Sequence, residues 1–436
     1  MQVEDHSHPS TTADVLVAEP LNDDDRSHLV RRFQSVRNFS EALCSPLVPE
    51  DYVIQSMPDV SPTKWHLAHT SWFFETFILR PHFQQYGLFH SQFPFLFNSY
   101  YVQAGERHCR ARRGLLSRPT VKEVYGYRAH VDEHMVDLLQ GASADLFAVL
   151  QPLVEIGIHH EQQHQELMLT DLKHVFSINP LYPAYQSHVA DPVTEVAPIA
   201  WVNFDEGVRE VGHKGGGFSF DNELPRHKTY IQNFALASRL VTNGEYIEFM
   251  EAGGYERPEL WLSAGWATVQ EEDWQAPMYW EKKKGRWYMF TLSGLQPVNL
   301  AEPVCHVSYF EADAYARWYG ARLATEQEWE IAAASLPVEG NFVDAGYYHP
   351  RVAAPDAGLQ QMYGEVWQWT QSQYTSYPGY KPVEGALGEY NGKFMCNQFV
   401  LRGASCATSQ SHARVTYRNF FPPESRWQFM GIRLAK

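Results

Sequence analysis

Residues 146–171 read LFAVLQPLVEIGIHHEQQHQELMLTD, and this stretch decides the fold of the first half of the chain. A mostly apolar stripe recurs there every three to four residues, at Leu146, Val149, Leu153, Ile156, His160, His164, Leu167 and Asp171. This spacing predicts one long amphipathic helix whose stripe faces a core. His160 and His164 lie on the stripe one turn apart, so the pattern directs two polar rings towards the interior.

Three further segments show helical spacing. They are Leu29, Phe33, Val36 and Leu43; Trp65, His69, Trp72 and Thr76; and Val121, Val124, Arg128, Val131, Met135 and Leu138. Together with the first helix they predict an all-α four-helix bundle over residues 20–180, since four amphipathic helices can close around one core. The connection at about 81–120 is rich in aromatic residues and Arg, and residues 1–20 are predicted to form a frayed polar arm.

The second half of the chain has a different character. Residues 181–200 contain several prolines and are predicted to be a linker. Over residues 201–436 short apolar runs alternate with Gly, Pro and Asn turns, interrupted by one helix from Tyr309 to about Ala334. This pattern predicts an irregular α+β domain.

Composition limits the classes of function. The 436 residues suggest two domains, and 44% hydrophobic with 20% charged residues indicates a globular protein. The net charge of −16 argues against nucleic acid or an anionic membrane as the main partner. No run approaches the roughly 20 apolar residues of a membrane helix. The chain start lacks the features of a signal peptide, and the five scattered Cys residues form no C-x-x-C motif, so we expect a reducing cytoplasm.

The histidine pair predicts a metal site. Two imidazoles inside a core need polar partners, and one shared metal ion satisfies both. A third ligand is expected from another helix; His69 lies on its stripe and is preferred, while His66 remains a rival. Three neutral imidazoles leave open coordination positions, as in catalytic sites, but do not choose among Zn, Fe, Cu and Ni. The alternative is an ordinary hydrogen-bonded pair, because H-x-x-x-H arises often by chance.

Several motifs carry a family resemblance. Leu67-Ala68-His69 with the later H-x-x-x-H-x-E (His160, His164, Glu166) resembles the DinB-like bundle of the ergothioneine-biosynthesis sulfoxide synthases. In the second half, 322–330 (RLATEQEWE), 364–370 (GEVWQWT) and 401–405 (LRGAS) resemble the formylglycine-generating-enzyme (sulfatase-modifying-factor) domain, which has a C-type-lectin-like fold.

This resemblance implies a non-haem iron enzyme that uses O2. Such an enzyme joins the sulfur of cysteine or γ-glutamylcysteine to the imidazole of hercynine, the Nα-trimethylated form of histidine, and forms a sulfoxide. By the family pattern His69, His160 and His164 bind Fe(II). Their three neutral rings leave half of an octahedral coordination sphere for the substrates and O2.

The resemblance also implies substrate contacts. Arg110 and Arg113 match a pair that binds the carboxylate of the thiol substrate, and Gln163 and Asn419 match hercynine contacts. Phe420 and Phe421 are expected to face the trimethylammonium group. Without the resemblance, a solvated basic run and ordinary core packing explain these residues. Some relatives have Trp-Asp where this chain has the two Phe residues, and the missing carboxylate favours free cysteine over γ-glutamylcysteine.

A tyrosine is expected to complete the site. A phenol near the iron donates a proton or hydrogen atom and directs the reaction away from dioxygenation of the thiol. Tyr100 and Tyr101 precede the Arg pair and are the candidates. In some relatives this Tyr comes from the second domain, which makes Tyr377 and Tyr380 rivals.

Three other functions were weighed. A formylglycine-generating oxidase needs two nearby C-terminal Cys residues; Cys406 is placed suitably, but position 411 is Ser. A DinB-like thiol transferase or hydrolase with Zn or Ni fits the bundle motif alone. A non-enzymatic binding module is disfavoured by the inward-facing histidines. The oligomeric state stays open.

Overall fold

The computed structural model describes residues 23–188, 195–354 and 358–436. The predicted arm, and residues 189–194 of the predicted linker, lie outside the described residues. The helices of the first half are α1 (Asp23–Cys44), α2 (Thr63–Phe74), α3 (Arg80–His82), α4 (Phe93–Phe97), α5 (Val121–Gly141) and α6 (Ala144–Ser177). A π-helical turn, Glu75–Leu79, joins α2 to α3.

The long helices α1, α2, α5 and α6 pack into a bundle. Helix α2 contacts both α5 and α6, and α1 contacts α6. The side chains of Phe33, Trp72, Val131 and Val154 are buried between them. Helix α5 begins with a capping box in which the Thr120 hydroxyl accepts the backbone N–H of Glu123. The bundle therefore holds α2 and α6 side by side, which is the arrangement a metal site shared between them requires.

The stripe predicted for the first half of α6 is wrong by about one residue. Val149 is 50% exposed, whereas Phe147, Leu150 and Val154 are buried. The reason lies at Gly157, where a Cβ atom would meet a ring carbon of Phe74 at 2.4 Å. The absence of a side chain lets α2 approach this face of α6, so the face that includes Gly157 turns inward.

The second half combines small sheets and short helices. Its helices are α7 (Asn243–Glu251), α8 (Ser263–Glu271), α9 (Tyr309–Tyr319) and α10 (Glu326–Ala333). Its strands are β1 (Trp201–Phe204), β2 (Gly207–Val211), β3 (His227–Ile231), β4 (Phe234–Ala237), β5 (Trp280–Lys283), β6 (Arg286–Thr291), β7 (Gly294–Pro297), β8 (Arg322–Leu323), β9 (Trp367–Gln373), β10 (Phe399–Arg402), β11 (Asn419–Phe421), β12 (Met430–Gly431) and β13 (Leu434–Ala435).

The strands pair across long stretches of sequence. The sheet orders are β1-β4-β13-β8, β11-β10-β9-β12, β2-β3 and β5-β6-β7. Strand β13, close to the C-terminus, pairs antiparallel with both β4 and β8. Strand β11 is an edge strand beside β10, and it carries residues 419–421. The predicted fold class, a helical bundle followed by an irregular α+β domain, is confirmed.

The single helix predicted from Tyr309 to about Ala334 is wrong. Helix α9 ends where Gly320 adopts a left-handed backbone with φ of +75°. Strand β8 follows, and α10 begins after Thr325, whose hydroxyl accepts the N–H of Glu328. In the described ranges no helix is long and apolar enough to cross a membrane.

Candidate metal centre and substrate pocket

Three histidines from two helices converge in the bundle. His69 of α2 and His160 and His164 of α6 each offer a nitrogen atom, and these atoms lie within 4.8 Å of one another. All three side chains are buried. His69 Nε2 and both ring nitrogens of His160 have no hydrogen-bond partner among the described residues. Buried polar atoms without a partner are costly, so this group is suited to a ligand that the chain itself does not supply.

The ring of His69 is held in one orientation. Its Nδ1 donates to the carbonyl oxygen of Phe97 at 2.6 Å, which leaves Nε2 as the metal-facing atom. Trp65 stacks on one side of the ring, with centroids 4.6 Å apart, and Trp72 stacks on the other at 5.3 Å. The ligand atom therefore points to a fixed place before any metal binds.

His66, the rival third ligand, has a different role in the structure. Its Nε2 donates to Asp171 Oδ2 at 3.0 Å, and its Nδ1 lies 2.8 Å from Nδ1 of His164. With the His66 proton directed to the carboxylate, His66 Nδ1 accepts the Nδ1 proton of His164. Nε2 of His164 is then free for a metal. His66 thus orients a ligand rather than joining the His69, His160 and His164 group.

Burial keeps these imidazoles uncharged. It lowers the pKa of His160 to about 3. Burial also lowers the pKa of His69 and of His164 well below the usual range, and the neighbouring His160 adds to both effects. Metal ligands must be deprotonated imidazoles, so the donor set fits a divalent metal ion without selecting which one.

A pocket of about 340 Å³ opens beside the histidines, between the bundle and the second domain. His160 and His164 border it, together with the predicted substrate residues Tyr100, Arg110, Arg113, Gln163, Asn419, Phe420 and Phe421. The metal-facing atoms and the predicted substrate contacts from both halves of the chain therefore share one cavity.

The two arginines occupy different depths of this pocket. Arg113 is 4% exposed and lies over the face of Trp65, with its guanidinium carbon 3.3 Å from the ring centroid. Its Nη1 donates to Ser61 Oγ at 2.9 Å, and its Nε has no partner within the described ranges. Burial lowers the pKa of Arg113 well below its usual range, with a further effect of Arg110. A buried cation in this state fits an anionic ligand.

Arg110 is exposed and lies at the rim, where it donates to the backbone carbonyl of Asp59. Its position allows it to contact a ligand that also reaches Arg113. The structure therefore gives one inner arginine and one outer arginine, where the sequence suggested an equivalent pair.

Gln163 links the two domains inside the pocket. Its Nε2 donates to the hydroxyl of Tyr417 at 2.5 Å, and its Oε1 accepts from the hydroxyl of Tyr390. The Tyr390 ring centroid lies 5.8 Å from that of His160. Sequence reasoning missed Tyr390, because nothing distinguishes it among 24 Tyr residues.

The two rival tyrosines point elsewhere. The hydroxyl of Tyr377 donates to Glu326 at 3.3 Å, and that of Tyr380 donates to Asp221 at 2.8 Å. Neither of these residues borders the pocket. Two other tyrosines of the second domain, Tyr390 and Tyr417, do border the pocket, and the Tyr390 ring contacts that of His160.

Tyr100 and Tyr101 differ in their access to the pocket. Tyr100 borders it, whereas Tyr101 is fully buried behind Tyr100, with the two rings stacked at 4.6 Å. Tyr101 also packs against Trp72 at 5.5 Å. Burial raises the pKa of both phenols above the usual value, so both hold their proton at neutral pH.

The β11 residues form an aromatic wall. Phe420 stacks on Tyr374, with centroids 4.0 Å apart, and Phe421 packs edge-on against Trp427 at 5.8 Å. Asn419 borders the same cavity, and its Oδ1 accepts the backbone N–H of Phe420 at 2.9 Å. These contacts provide an apolar surface and one amide opposite the metal-facing nitrogen atoms.

Glu166 fastens the second domain to the bundle. Its Oε1 accepts from Trp367 Nε1 at 2.8 Å and from Ser405 Oγ at 2.5 Å, and its Oε2 accepts from Thr408 Oγ1 at 2.7 Å. The sequence motif included Glu166 but gave no role for it. The structure shows that it holds the two halves together beside His164.

Comparison with protein families assigns both halves. Residues 32–168 match the DinB superfamily, and residues 192–352 and 345–436 match the sulfatase-modifying factor enzyme 1-like domain. The two matches follow the order in which the bundle and the mixed domain occur along the chain.

Curated relatives match most of the chain. Hercynine oxygenase of Mycobacterium tuberculosis is 32% identical over 402 residues, which cover 87% of this chain and 91% of that protein. Hercynine oxygenase of Mycolicibacterium smegmatis is 31% identical over 412 residues, covering 87% and 92%. An inactive C-alpha-formylglycine-generating enzyme 2 of Bos taurus is 28% identical over 294 residues, covering 54% of this chain and 91% of that protein.

Proposed function

Because this chain belongs to the hercynine oxygenase family, we propose that it joins the sulfur of a cysteine-type thiol to the imidazole of hercynine, with O2 as oxidant. The product is a sulfoxide of ergothioneine biosynthesis. The observation that carries the proposal is the buried group His69, His160 and His164, whose offered nitrogen atoms lie within 4.8 Å of one another beside a pocket that His160 and His164 border; among the described residues, His69 Nε2 and both nitrogens of His160 have no hydrogen-bond partner.

The reaction balances with one O2 for each coupling. The imidazole loses a C–H hydrogen and the thiol loses its S–H hydrogen as the C–S bond forms. One oxygen atom of O2 becomes the sulfoxide oxygen, and the other leaves as water with those two hydrogens. O2 is thereby fully reduced. Its electrons come from the formation of the C–S bond and from the oxidation of the sulfur to the sulfoxide.

The proposed metal is Fe(II), held by His69, His160 and His164. When bound, it would relay electrons from the substrates to O2 and offer a coordination position for the thiol sulfur. The protein's part is to orient two of these rings by hydrogen bonds, through Phe97 for His69 and through His66 for His164. His160 and His164 border the pocket, so a metal held by this group would lie beside the bound substrates.

The pocket residues have separate proposed roles. Arg113, with Arg110 at the rim, binds the carboxylate of the thiol substrate. Gln163 and Asn419 orient hercynine. The faces of Phe420 and Phe421 receive its trimethylammonium group, an interaction of about 0.5–2 kcal/mol.

Tyrosine hydroxyls are the proposed proton donors. Tyr100 borders the pocket, with Tyr101 packed directly behind it. Tyr390 comes from the second domain, packs edge-on against Tyr100 with ring centroids 6.3 Å apart, and donates its hydroxyl proton to Gln163. A phenol that delivers a proton during coupling favours the C–S product over simple dioxygenation of the thiol.

The thiol substrate is proposed to be free cysteine. Phe421 stands where some relatives carry an Asp that can pair with a γ-glutamyl amino group. Comparing kcat/KM for cysteine and γ-glutamylcysteine tests this preference, and a higher value for the γ-glutamyl form contradicts it.

From the sequence we also propose a cytoplasmic location. We propose a division into a helical bundle over residues 20–180, a linker over 181–200 and a second domain over 201–436.

The decisive experiment is anaerobic reconstitution with Fe(II), hercynine and cysteine, followed by O2 and mass analysis of the product. We expect a sulfoxide that contains both substrates and one oxygen atom from 18O2. Thiol transfer without O2 would instead support a DinB-like transferase. Protein that binds no metal would support a non-enzymatic module.

A further inference from the structure

The pocket wall beyond His164 carries an acid with an unused oxygen atom. Asp171 is 3% exposed, and its Oδ2 accepts from the backbone N–H of Ser61 at 2.8 Å and from His66 Nε2 at 3.0 Å. Its Oδ1 is buried and has no hydrogen-bond partner in the described part of the chain. An unpartnered carboxylate oxygen in the interior is costly. This atom is therefore matched to a donor that comes from outside the chain.

Asp171 differs from the other carboxyl side chains that border the pocket. Both oxygens of Glu166 accept hydrogen bonds from the second domain. Asp59 is exposed at the rim, where its carboxylate is accessible to solvent. Among the described lining residues, Asp171 is thus the buried acid that still has an oxygen atom available.

A buried cation lies near this acid without pairing to it. Ser61 connects the two: its N–H donates to Asp171 Oδ2, and its hydroxyl accepts from Arg113 Nη1 at 2.9 Å. No ion pair joins Arg113 to Asp171 across the described residues, and Arg113 Nε is also unpartnered. One positive and one negative group, each with an unused atom, therefore lie on either side of Ser61.

We propose that Asp171 binds the α-ammonium group of free cysteine and selects cysteine as the thiol substrate; this inference rests on the proposed function. The α-carboxylate of a cysteine zwitterion pairs with Arg113, and its ammonium pairs with Asp171 Oδ1. The side chain then extends along the wall to the metal-facing atoms of His164 and His160, which border the same cavity. Arg113 Nε and Asp171 Oδ1, which have no partner among the described residues, would each gain a partner of opposite charge.

The same arrangement disfavours γ-glutamylcysteine. In that compound the cysteine nitrogen is an uncharged amide that carries an acyl group. Asp171 would lose its ionic partner and keep at most a hydrogen bond from the amide N–H, and the pocket would have to hold the glutamyl chain as well. This discrimination is independent of Phe421, since it acts on the cysteine nitrogen and not on the glutamyl amino group.

The test compares cysteine with 3-mercaptopropionate, which has the same thiol and carboxylate but lacks the ammonium group. The wild-type Fe(II) protein should bind cysteine at least about tenfold more tightly, and Asp171→Asn should reduce this ratio to nearly one. The ratio of kcat/KM for cysteine to that for γ-glutamylcysteine should fall by a similar factor. The matched control Asp59→Asn removes an exposed acid of the same pocket and should leave both ratios unchanged.

A merely structural role gives a different result. Because Asp171 holds His66, a structural defect would weaken Fe(II) binding and lower turnover with every thiol equally, without changing the ratios. Unchanged ratios in Asp171→Asn, or wild-type protein that binds both thiols equally, would overturn the inference. If the wild type forms no sulfoxide, the proposed function fails, but equilibrium binding of the two thiols still decides the role of Asp171.

Discussion

Helix α6 carries two buried polar regions that differ in one respect. On the face towards α1 and α5, Glu161 is 1% exposed and accepts from Arg37 at 2.9 Å, from Arg128 at 3.0 Å and from Ser40 at 2.6 Å. Burial alone would raise the pKa of Glu161, but Arg37 and Arg128 outweigh it and hold this pKa below its usual value. Every charge of this region has a partner within the bundle.

On the side of α6 towards the pocket, several buried polar atoms of this helix and of the neighbouring Arg113 are unpaired in the part of the chain that the structure describes. His160, Arg113 and Asp171 each retain at least one atom without a partner in the described ranges. Proteins satisfy buried polar groups nearly everywhere, so an exception needs an explanation. The paired groups around Glu161 therefore stabilise the bundle, whereas the unpaired atoms beside the pocket remain available to bind a metal and substrates.

The largest effect is expected when two adjacent histidines, His160 and His159, are each replaced by leucine in separate variants. His160→Leu should abolish metal binding and product formation, because it removes a ligand. The unfolding free energy of the metal-free protein should rise by about 1 kcal/mol, because the substitution removes two buried nitrogen atoms that have no partner among the described residues. Metal analysis and urea unfolding measure the two effects.

His159→Leu is the matched control with the opposite expectation. His159 is equally buried, but its Nδ1 pairs with Nδ1 of His412 at 2.8 Å across the domain boundary. Leucine there should retain the metal and lower the unfolding free energy by about 1–3 kcal/mol. If both variants lose the metal, or both lose stability, the distinction between the two regions is wrong.

Removing the charge of Glu161 in the paired region should lower the stability of the protein. Glu161→Gln leaves Arg37 and Arg128 without their full counter-charge in the interior, and we expect a loss of about 3–5 kcal/mol. The control Glu155→Gln breaks an ion pair with Arg32 on the partly exposed face of the same helix, and should cost less than about 1 kcal/mol. Equal losses by chemical denaturation would contradict the account of Glu161.

The inner arginine should affect substrate binding and not stability. Arg113→Met should raise the KM for the thiol roughly 10- to 100-fold, because the carboxylate loses a charge-assisted partner. KM for hercynine and the unfolding midpoint should stay unchanged. Arg112→Met changes an exposed residue of the same run and serves as the control. A fall in stability with an unaltered thiol KM would show that Arg113 is structural.

The smallest effect is expected on product distribution. Tyr100→Phe or Tyr101→Phe should divert part of the product to cysteine sulfinate while the protein stays equally stable. Tyr127→Phe removes a hydroxyl that donates to the buried Glu75 at 2.8 Å, so it should cost about 1 kcal/mol and leave the products unchanged. Chromatography of the products checks this, and an unchanged ratio in both Tyr100→Phe and Tyr101→Phe would remove the assignment.

Local periodicity predicted the bundle well. The stripes of α1, α2 and α5 depend on residues three and four apart, and the structure buries Phe33, Trp72 and Val131 as expected. The same reasoning misplaced Val149, because only the approach of α2 to Gly157 decides which side of α6 turns inward. The apolar spacing also predicted one helix where the structure has two, α9 and α10, because this spacing does not reveal the left-handed turn at Gly320.

The site was predictable only where one helix carries it. The spacing of His160 and His164 places both on one face of α6, but it left His66 and His69 as alternatives. The stripe of α2 favoured His69 without excluding His66, and the structure separates the two, because His69 joins the group with His160 and His164 while His66 pairs with Asp171. The contact between Tyr390 and Gln163 joins residues 227 positions apart. Such a contact depends on how the second domain sits on the bundle, and no local pattern predicts it.

X-ray absorption of the anaerobic Fe(II)-loaded protein, before and after addition of cysteine, tests the central claim most directly. We predict imidazole scattering from the histidines in both states, and one new sulfur neighbour of iron when cysteine is present. A spectrum without imidazole scattering, or one that cysteine does not change, would contradict the claim that three histidines hold a metal open to the pocket.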